Sequence, residues 1–344
     1  MSNWIRMIEQ FVFAALILFG LEAQAQKPKV WIYTDMTDNT LPGKNHMGTI
    51  NDPDDISAMA GYLLMANMFD TKGIVVASTH RKEHKTTPHQ GDWANRFWGE
   101  AYQKDVKNLN KVIGGYPEKV DFVQSCIKES AERYNPEYEY VSLANYATVK
   151  SLFDLANNEE GIINVLCWGS LTEPAILVNH CISAGRKDIL EKLRFIAHWT
   201  NSPWHQGSPE HPEDVANCRE DADACAYLKL VALNGYIKYY ECGAIGQHGI
   251  VSGSPKGDEY YKQFAGSALG QKFIQGKFVQ NSVDHSDAAT YWVLLRNWGV
   301  GLNDIKSNGT NFPDVEKTNE EKFKQWSERI HNELLRRSLV ASGN

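Results

Sequence analysis

Several features that would place this chain of 344 residues in a common class are absent from its sequence. None of its six cysteines lies in a C-x-x-C pair, which argues against a zinc ribbon. There is no Walker-type phosphate loop, no internal repeat and no low-complexity linker. The formal net charge of −7 gives no reason to expect nucleic acid or an anionic membrane as partner. These absences leave an acidic, aromatic-rich globular chain, long enough for one large domain or two medium ones.

The first 25 residues predict a secretory signal peptide. Arg6 precedes an apolar stretch from Phe11 to Leu21, and Ala23-Gln24-Ala25 provides a small-residue cleavage site. An N-terminal membrane anchor is the alternative, but the apolar stretch is shorter than the ~20 residues that span a bilayer. We therefore predict a signal peptide over residues 1–25 and a single secreted or periplasmic domain over 26–344, without membrane association after cleavage.

Export would permit disulfide bonds, because they persist in oxidising compartments. Cys218 could pair with Cys225 or with Cys242, and the sequence does not choose between them. Cys167 lies within an apolar strand and is expected to be a buried thiol.

Four acidic residues surround one predicted strand-to-helix connection. The β-rich run 30–33 ends at Asp35, and a polar insertion, residues 36–51, separates it from three further acids and an apolar helical pattern. These acids are Asp52, Asp54 and Asp55. Helix capping is one explanation, since Asp is favoured at N-cap and first-turn positions and Pro at N1. Capping uses one or two acids, whereas four converging carboxylates repel each other unless a hard cation lies among them. The pattern favours a metal site, and capping remains the alternative.

Strands and helices alternate along the chain, which predicts an α/β fold with a mostly parallel sheet flanked by helices. Further predicted strands cover residues 73–78, 162–168, 193–198 and 237–241, and a C-terminal helix follows residue 318. Functional residues of parallel sheets gather at the carboxyl ends of the strands. Asp35, His80 and Trp168 occupy such positions. The loop after the fourth of these strands is rich in Trp and His, and Trp204 within it is a candidate to cover a ring-shaped substrate. A surface loop held by its own aromatic residues is the equal alternative.

The acidic segment resembles the calcium signature of nucleoside hydrolases, whose usual form is Asp-x-Asp-Pro-Gly-x-Asp-Asp. The variant Asp-Pro-Asp-Asp at 52–55 and the segment 68–78 are more similar still to the secreted nucleoside hydrolase-like branch, which is described as cellulose-binding or of unknown function. The resemblance extends from about residue 29 to 300 and implies a nucleoside hydrolase-like fold. The insertion departs from the signature and leaves open whether Asp35 or Asp52 is the first metal ligand.

The same resemblance implies roles for residues farther along the chain. Trp168-Gly169 resembles a turn whose residue before the glycine gives its carbonyl to calcium, and Asp287 matches an aspartate that completes the calcium shell. Asn217 matches an asparagine that binds ribose, although a helix N-cap is the alternative for it and for Asp287. The implied Ca²⁺ ligands are Asp35, Asp52, Asp55, Trp168 and Asp287. The predicted substrate contacts are Asp54, Asn217, His80 and Trp204.

The implied activity is Ca²⁺-dependent hydrolysis of an N-ribosyl bond in a small nucleoside or a related glycoside. Asp35 would act as general base, and His285 or a residue of the 198–211 loop would assist the leaving group. A calcium-dependent carbohydrate-binding protein without turnover is the main alternative. A phosphohydrolase with an Asp nucleophile is the other, suggested by Asp35-Met-Thr-Asp38. The oligomeric state, including a homo-oligomer, is left open.

Overall fold

The computed structural model describes residues 26–43, 49, 52–76, 89–127, 132–169, 171–208, 210–211 and 213–343. The predicted signal peptide and His80 lie outside these residues. Within them, no helix combines the length and apolar character that crossing a membrane requires.

Six parallel strands form the central sheet, in the order β3-β2-β1-β4-β5-β6. They are β1 Lys29–Thr34, β2 Asp70–Val76, β3 Val123–Gln124, β4 Ile163–Cys167, β5 Leu193–Ala197 and β6 Lys238–Glu241. A separate antiparallel hairpin consists of β7 Phe278–Val279 and β8 Ser282–Val283. The predicted parallel α/β architecture is confirmed. The two-residue strand β3 is too short to give a periodic signal in the sequence.

Helices cover both faces of this sheet. The bounds are α1 Pro53–Leu64, α2 Gln90–Val112, α3 Ala147–Asn158, α4 Thr172–Ser183, α5 Lys187–Leu190, α6 Ala216–Glu220, α7 Ala222–Leu233, α8 Asp258–Tyr261, α9 Ala268–Phe273, α10 Ala289–Trp292 and α11 Pro313–Ser342. Short 3₁₀ segments occur at Ala66–Met68, Lys262–Gly266, Ser286–Ala288 and Leu302–Asp304, and a π-helical turn at Gly246–Val251. Helix α11 begins five residues before the predicted start, with Pro313 in its first turn, where proline is favoured.

Alternation along each strand divides the core into two layers. Ile32, Leu166 and Ile196 face one layer, which is shared with α1, α2 and α11. Tyr33 and Phe195 face the other layer, which is shared with α3, α4 and α7. Because both faces of the sheet are buried, its strands read as continuous apolar runs, which is why most of them are visible in the sequence.

Of the two disulfide pairings that the sequence left open, the structure contains one. Cys218 and Cys225 form a disulfide that joins α6 to α7, and Cys242 is a buried free cysteine. Cys167 is likewise a buried free thiol, in β4. The bridge fixes the short helix α6, which carries Asn217, to the longer helix that follows it.

Candidate active site at the carboxyl edge of the sheet

Three adjacent strands end at one small cavity. Because β1, β4 and β5 are parallel neighbours in register, the residues that follow them lie side by side. These residues are Asp35, Trp168 and His198. Beside them is a cavity of about 230 Å³, to which the first turn of α1 and the loop after β5 also contribute. Of the predicted site residues, Asp52, Asp54, Asp55, Trp168, Asn217 and Asp287 line it.

Three carboxylates converge at this edge. Asp35, Asp52 and Asp55 each offer one oxygen, and these three oxygens lie within 4.8 Å of one another. Asp35 and Asp55 are buried, and Asp52 is half-buried. The Thr34 hydroxyl donates a hydrogen bond to Oδ1 of Asp55 and thereby orients that carboxylate. A donor set made only of oxygen atoms suits a hard divalent cation.

Helix capping does not account for this cluster. Asp52 occupies the N-cap position of α1, yet its side chain makes no capping hydrogen bond. Pro53 follows it at the start of the helix and has no N–H to satisfy. The carboxylate of Asp52 is therefore directed to the acidic cluster rather than to the helix terminus.

Burial and mutual repulsion both act on these acids. Burial raises the pKa of Asp55 well above its usual range, and the nearby carboxylates of Asp287 and Asp35 raise it further. The pKa of Asp287 is likewise raised, first by burial and then by Asp54 and Asp35. Among the described residues, Oδ2 of Asp287 is buried without a hydrogen-bond partner. A cation would relieve these costs, so the residues present fit a metal ion.

Asp54 has a different electrostatic environment. Burial is the largest influence and would raise its pKa, but the ammonium of Lys277, 3.8 Å from Oδ2, hydrogen bonds from Asp52 and the backbone, and the electrostatic influence of His198 together lower the pKa. Lys277 also lies 3.0 Å from Asp284. Asp54 therefore stays ionised beside the cavity without a metal, which suits an acceptor for substrate hydroxyl groups.

Hydrogen bonds fix Trp168 and Asn217 at the site. The indole N–H of Trp168 donates to the Thr290 hydroxyl at 2.7 Å, and that hydroxyl donates to the carbonyl of Asp287 at 2.7 Å. The Asn217 side-chain amide donates to the carbonyls of Trp168 and His198, both at 3.0 Å. Asn217 lies inside α6, whose N-cap is Val215, so it is not the helix cap. Its Oδ1 remains as the acceptor for a ligand.

Gly169 leaves the space that the side chain of Asp35 occupies. A Cβ atom at residue 169 would lie 2.4 Å from Cγ of Asp35, closer than non-bonded carbon atoms approach. The glycine after Trp168 is thus required by packing against the acidic cluster.

His198 was singled out in the sequence only as a strand end and a member of the following loop. It is 3% exposed, and its Nε2 lies 3.8 Å from Oδ1 of Asp287. Burial lowers its pKa to about 4, so the ring is neutral at neutral pH. Lys277 and Gln247 also line the cavity, and neither carried a signal in the sequence.

Two predicted site residues lie elsewhere. His285 is buried, with its Nε2 3.0 Å from Nε2 of His331, and it does not line the cavity. Trp204 is 47% exposed, stands beside Lys317 and is also outside the cavity lining. Its loop contributes Trp199 and Gln206 to the lining instead.

The fold has counterparts in known proteins. Residues 47–202 match a family model described as the nucleoside hydrolase-like domain of cellulose-binding Sde182, and this span contains Asp52, Asp55 and Trp168. The resemblance expected from the acidic segment is confirmed. Among curated proteins, none matches this chain at a significant level.

Solved structures match this chain at low sequence identity, and the first of the three that follow shares its fold. A nucleoside hydrolase-related hypothetical protein from Saccharophagus degradans, associated with carbohydrate metabolism, is 18% identical with a TM-score of 0.62, over 92% of this chain and 72% of its own. An inosine-uridine preferring nucleoside hydrolase from Bacillus anthracis is 14% identical with a TM-score of 0.44, over 77% and 81%. A purine-preferring ribonucleoside hydrolase from Gardnerella vaginalis is 13% identical with a TM-score of 0.44, over 88% and 99%.

Proposed function

We propose that this chain is a secreted, Ca²⁺-dependent hydrolase of N-ribosyl or closely related glycosyl bonds. The observation that carries the proposal is the acidic cluster, whose three oxygens lie within 4.8 Å of one another beside a cavity of about 230 Å³. The nucleoside hydrolase-like fold supports the reaction class by analogy. The disulfide between Cys218 and Cys225 is consistent with export, since such bonds persist in oxidising compartments.

Asp35, Asp52 and Asp55 would hold the cation, with Asp287 and the Trp168 carbonyl as further ligands. When bound, Ca²⁺ would hold the vicinal hydroxyls of a furanose and lower the pKa of a water molecule. Asp35 accepts a proton from the water that attacks the anomeric carbon. Its neighbouring carboxylates stabilise the oxocarbenium-like positive charge that develops there.

The cavity walls would position the sugar and its leaving group. Asp54, held ionised by Lys277, accepts a hydrogen bond from a sugar hydroxyl, and Oδ1 of Asn217 accepts another. Among the described residues, His198 lines the cavity and His285 does not, so His198 would donate a ring N–H to the departing base. Since His198 is neutral, it acts as a hydrogen-bond donor rather than as a strong acid.

Carbohydrate binding without turnover is the second candidate function. The matching family model is described as cellulose-binding, and the cavity includes Trp199, whose indole offers an apolar face to a sugar ring. This alternative uses the same cavity but predicts no release of a base or sugar.

Substitution of Asp35 tests the hydrolase directly. Asp35→Asn removes the general base while keeping the side-chain shape, so ribose release from nucleosides should fall by about 10²-fold or more. Asp38→Asn is the matched control, because Asp38 lies three residues on and is not one of the three clustered acids. Equal release by both variants would contradict the proposal. A wild-type protein that releases no ribose but binds cello-oligosaccharides would establish the second candidate.

A further inference from the structure

A second and larger cavity lies at the opposite, amino edge of the sheet. Its volume is about 810 Å³, and its walls come from the starts of β1, β4 and β5 together with residues 293–304. A volume in this range accommodates small molecules up to the size of a disaccharide. None of the residues assigned to the acidic site contributes to it.

Two polar residues project into the base of this cavity from neighbouring strands. Asn164 and Arg194 are directly paired in the register of β4 and β5, so their side chains lie on the same face of the sheet. Leu166 and Ile196 lie two residues farther along the same strands and therefore on the same face. Both belong to the apolar layer that includes Val293 and Val300. The pair thus interrupts an otherwise apolar face where the cavity opens.

Asn164 carries an unsatisfied acceptor. The residue is 4% exposed, and its amide nitrogen donates to the Lys29 carbonyl at 2.9 Å. A carbonyl only accepts hydrogen bonds, so the atom of the Asn164 side-chain amide that contacts Lys29 must be the nitrogen. The other polar atom of that amide is the oxygen Oδ1. In the described part of the chain, Oδ1 is buried without a hydrogen-bond partner, which is uncommon in native structures.

Arg194 carries an uncompensated charge. Its Nε is buried with no hydrogen-bond partner among the described residues, and its guanidinium forms no ion pair with any of them. Two acids line the cavity: Asp304 is paired with Lys322 at 2.5 Å, and Glu160 is exposed to solvent. Arg194 is half-buried and its Nε lacks a partner, so its guanidinium favours an anion as a ligand.

We propose that the amino-edge cavity is a second small-molecule site, which binds a hydroxylated compound carrying an anionic oxygen group. Arg194 would receive the carboxylate or phosphate, and Oδ1 of Asn164 would accept a hydrogen bond from a hydroxyl of the same molecule. Lys27 and Arg296 are exposed cations among the lining residues and add to the attraction for an anion. The site goes beyond the proposed hydrolase, because it shares no residue with the acidic cluster.

Three matched sugars test the proposal on the full chain. D-galacturonate and D-galactose 6-phosphate carry an anionic group, and neutral D-galactose shares their hydroxyls. Calorimetry in the presence of a chelator, which removes any contribution from a metal site, should detect binding of at least one anionic sugar. The sugar that binds identifies the anionic group as carboxylate or phosphate. Absence of binding by both at millimolar concentration would overturn the proposal and leave the cavity filled by solvent.

Variants locate the binding. Arg194→Gln should weaken the anionic sugar about tenfold or more, the loss expected for a charge-assisted hydrogen bond. Arg186→Gln is the control, since Arg186 is paired with Asp188 outside the cavity. Equal affinity in both variants would refute the assignment. If Arg194→Gln does not fold, amide hydrogen exchange of the wild-type protein locates the bound sugar instead. The proposal predicts slower exchange in residues 293–304 and unchanged exchange in residues 199–206. The reverse pattern would reject the site.

Discussion

Asp55 is the residue whose pKa is raised by four other carboxylates of the site. Burial and then Asp287, Asp35, Asp52 and Asp54 raise its pKa, in that order. An acid whose pKa is raised in the folded state lowers the free energy of unfolding when it ionises. This loss of stability therefore begins as the pH rises above the ordinary pKa of aspartate. A divalent cation removes the cost, because it favours the ionised carboxylates and releases their protons.

Asp55→Asn should therefore have opposite effects with and without calcium. In a chelator at neutral pH the variant should melt above the wild type, because an ionisable buried acid has been removed. In calcium the wild type should gain about 2.7 kcal/mol at 100 times the Kd, and the variant should gain little. Thermal denaturation of Asp55→Asn and of the control Asp38→Asn measures both effects. Full calcium stabilisation in Asp55→Asn would contradict the ligand assignment.

The calcium gain should also depend on pH. Protons and the cation compete for Asp55 and Asp287, whose pKa values are both raised. The stabilisation by calcium in the wild type should therefore be larger at pH 8 than at pH 5.

Gly169→Ala tests whether packing beside Asp35 is needed. The new methyl group would displace Asp35, so ribose release and calcium stabilisation should both fall while the secondary structure is kept. Gly99→Ala is the control: residue 99 lies in α2 with open space around its Cβ position, and alanine there should stabilise the helix by about 0.5–1 kcal/mol. Unchanged calcium binding in Gly169→Ala would show that Asp35 tolerates the shift.

At the scale of single residues, the sequence identified the site residues that lie beside a recognisable local pattern. Asp52 and Asp55 precede an amphipathic helix, and Trp168 ends an apolar strand. Lys277 follows no such pattern, because it reaches Asp54 from the segment before a two-residue strand more than 200 positions away. His285 lies two residues before Asp287 in the sequence, yet its ring packs against Phe273 and His331. Closeness in sequence therefore does not bring its side chain to the cavity.

At the scale of elements, the loop after β5 is tied to helix α11. Ser202 donates to Glu316 at 2.8 Å, and His205 contacts Glu320 at 2.5 Å while its ring stacks on His248. Burial raises the pKa of Glu320 to about 8 and lowers that of His205 to about 4. Both shifts keep the pair uncharged at neutral pH, with a single proton shared between the carboxyl group and the ring. Because the same loop supplies Trp199 to the cavity, α11 supports one wall of the site.

Glu320→Gln should change how stability depends on pH. The raised pKa means that ionisation of Glu320 costs stability as the pH rises from about 4.5 to about 8. The variant lacks this cost, so its melting temperature relative to the wild type should increase across that window and level off above it. Glu328→Gln, at an exposed position farther along α11, should show no such trend. A difference in melting temperature that is constant with pH would contradict the shared-proton description.

The elements that the sequence identified are those with strong apolar signals. The strands β1, β4, β5 and β6 lie within two residues of their predicted bounds, since each is an apolar or aromatic run between turns. β2 begins three residues earlier than predicted, because Asp70 and Thr71 pair with β1 although they are polar. The order of the strands followed from none of these signals, because pairing joins segments more than 100 residues apart, such as β1 and β4.

At the scale of the whole molecule, the parallel sheet separates two cavities. The carboxyl edge gathers acids around the smaller cavity, and the amino edge presents Arg194 and Asn164 to the larger one. The fold class followed from the alternation of strands and helices, and the chain's acidic net charge gave no hint of a locally cationic cavity. Such a cavity depends on strand register, which local sequence patterns do not specify.

The central claim is that the acidic edge cleaves a glycosyl bond with the help of a divalent cation. Release of free ribose from a panel of purine and pyrimidine nucleosides, measured in calcium and in excess chelator, tests it most directly. We expect release in calcium and its loss in chelator, restored when calcium is returned. Release that persists unchanged in the chelator, or no release from any nucleoside by calcium-loaded protein, would contradict the claim.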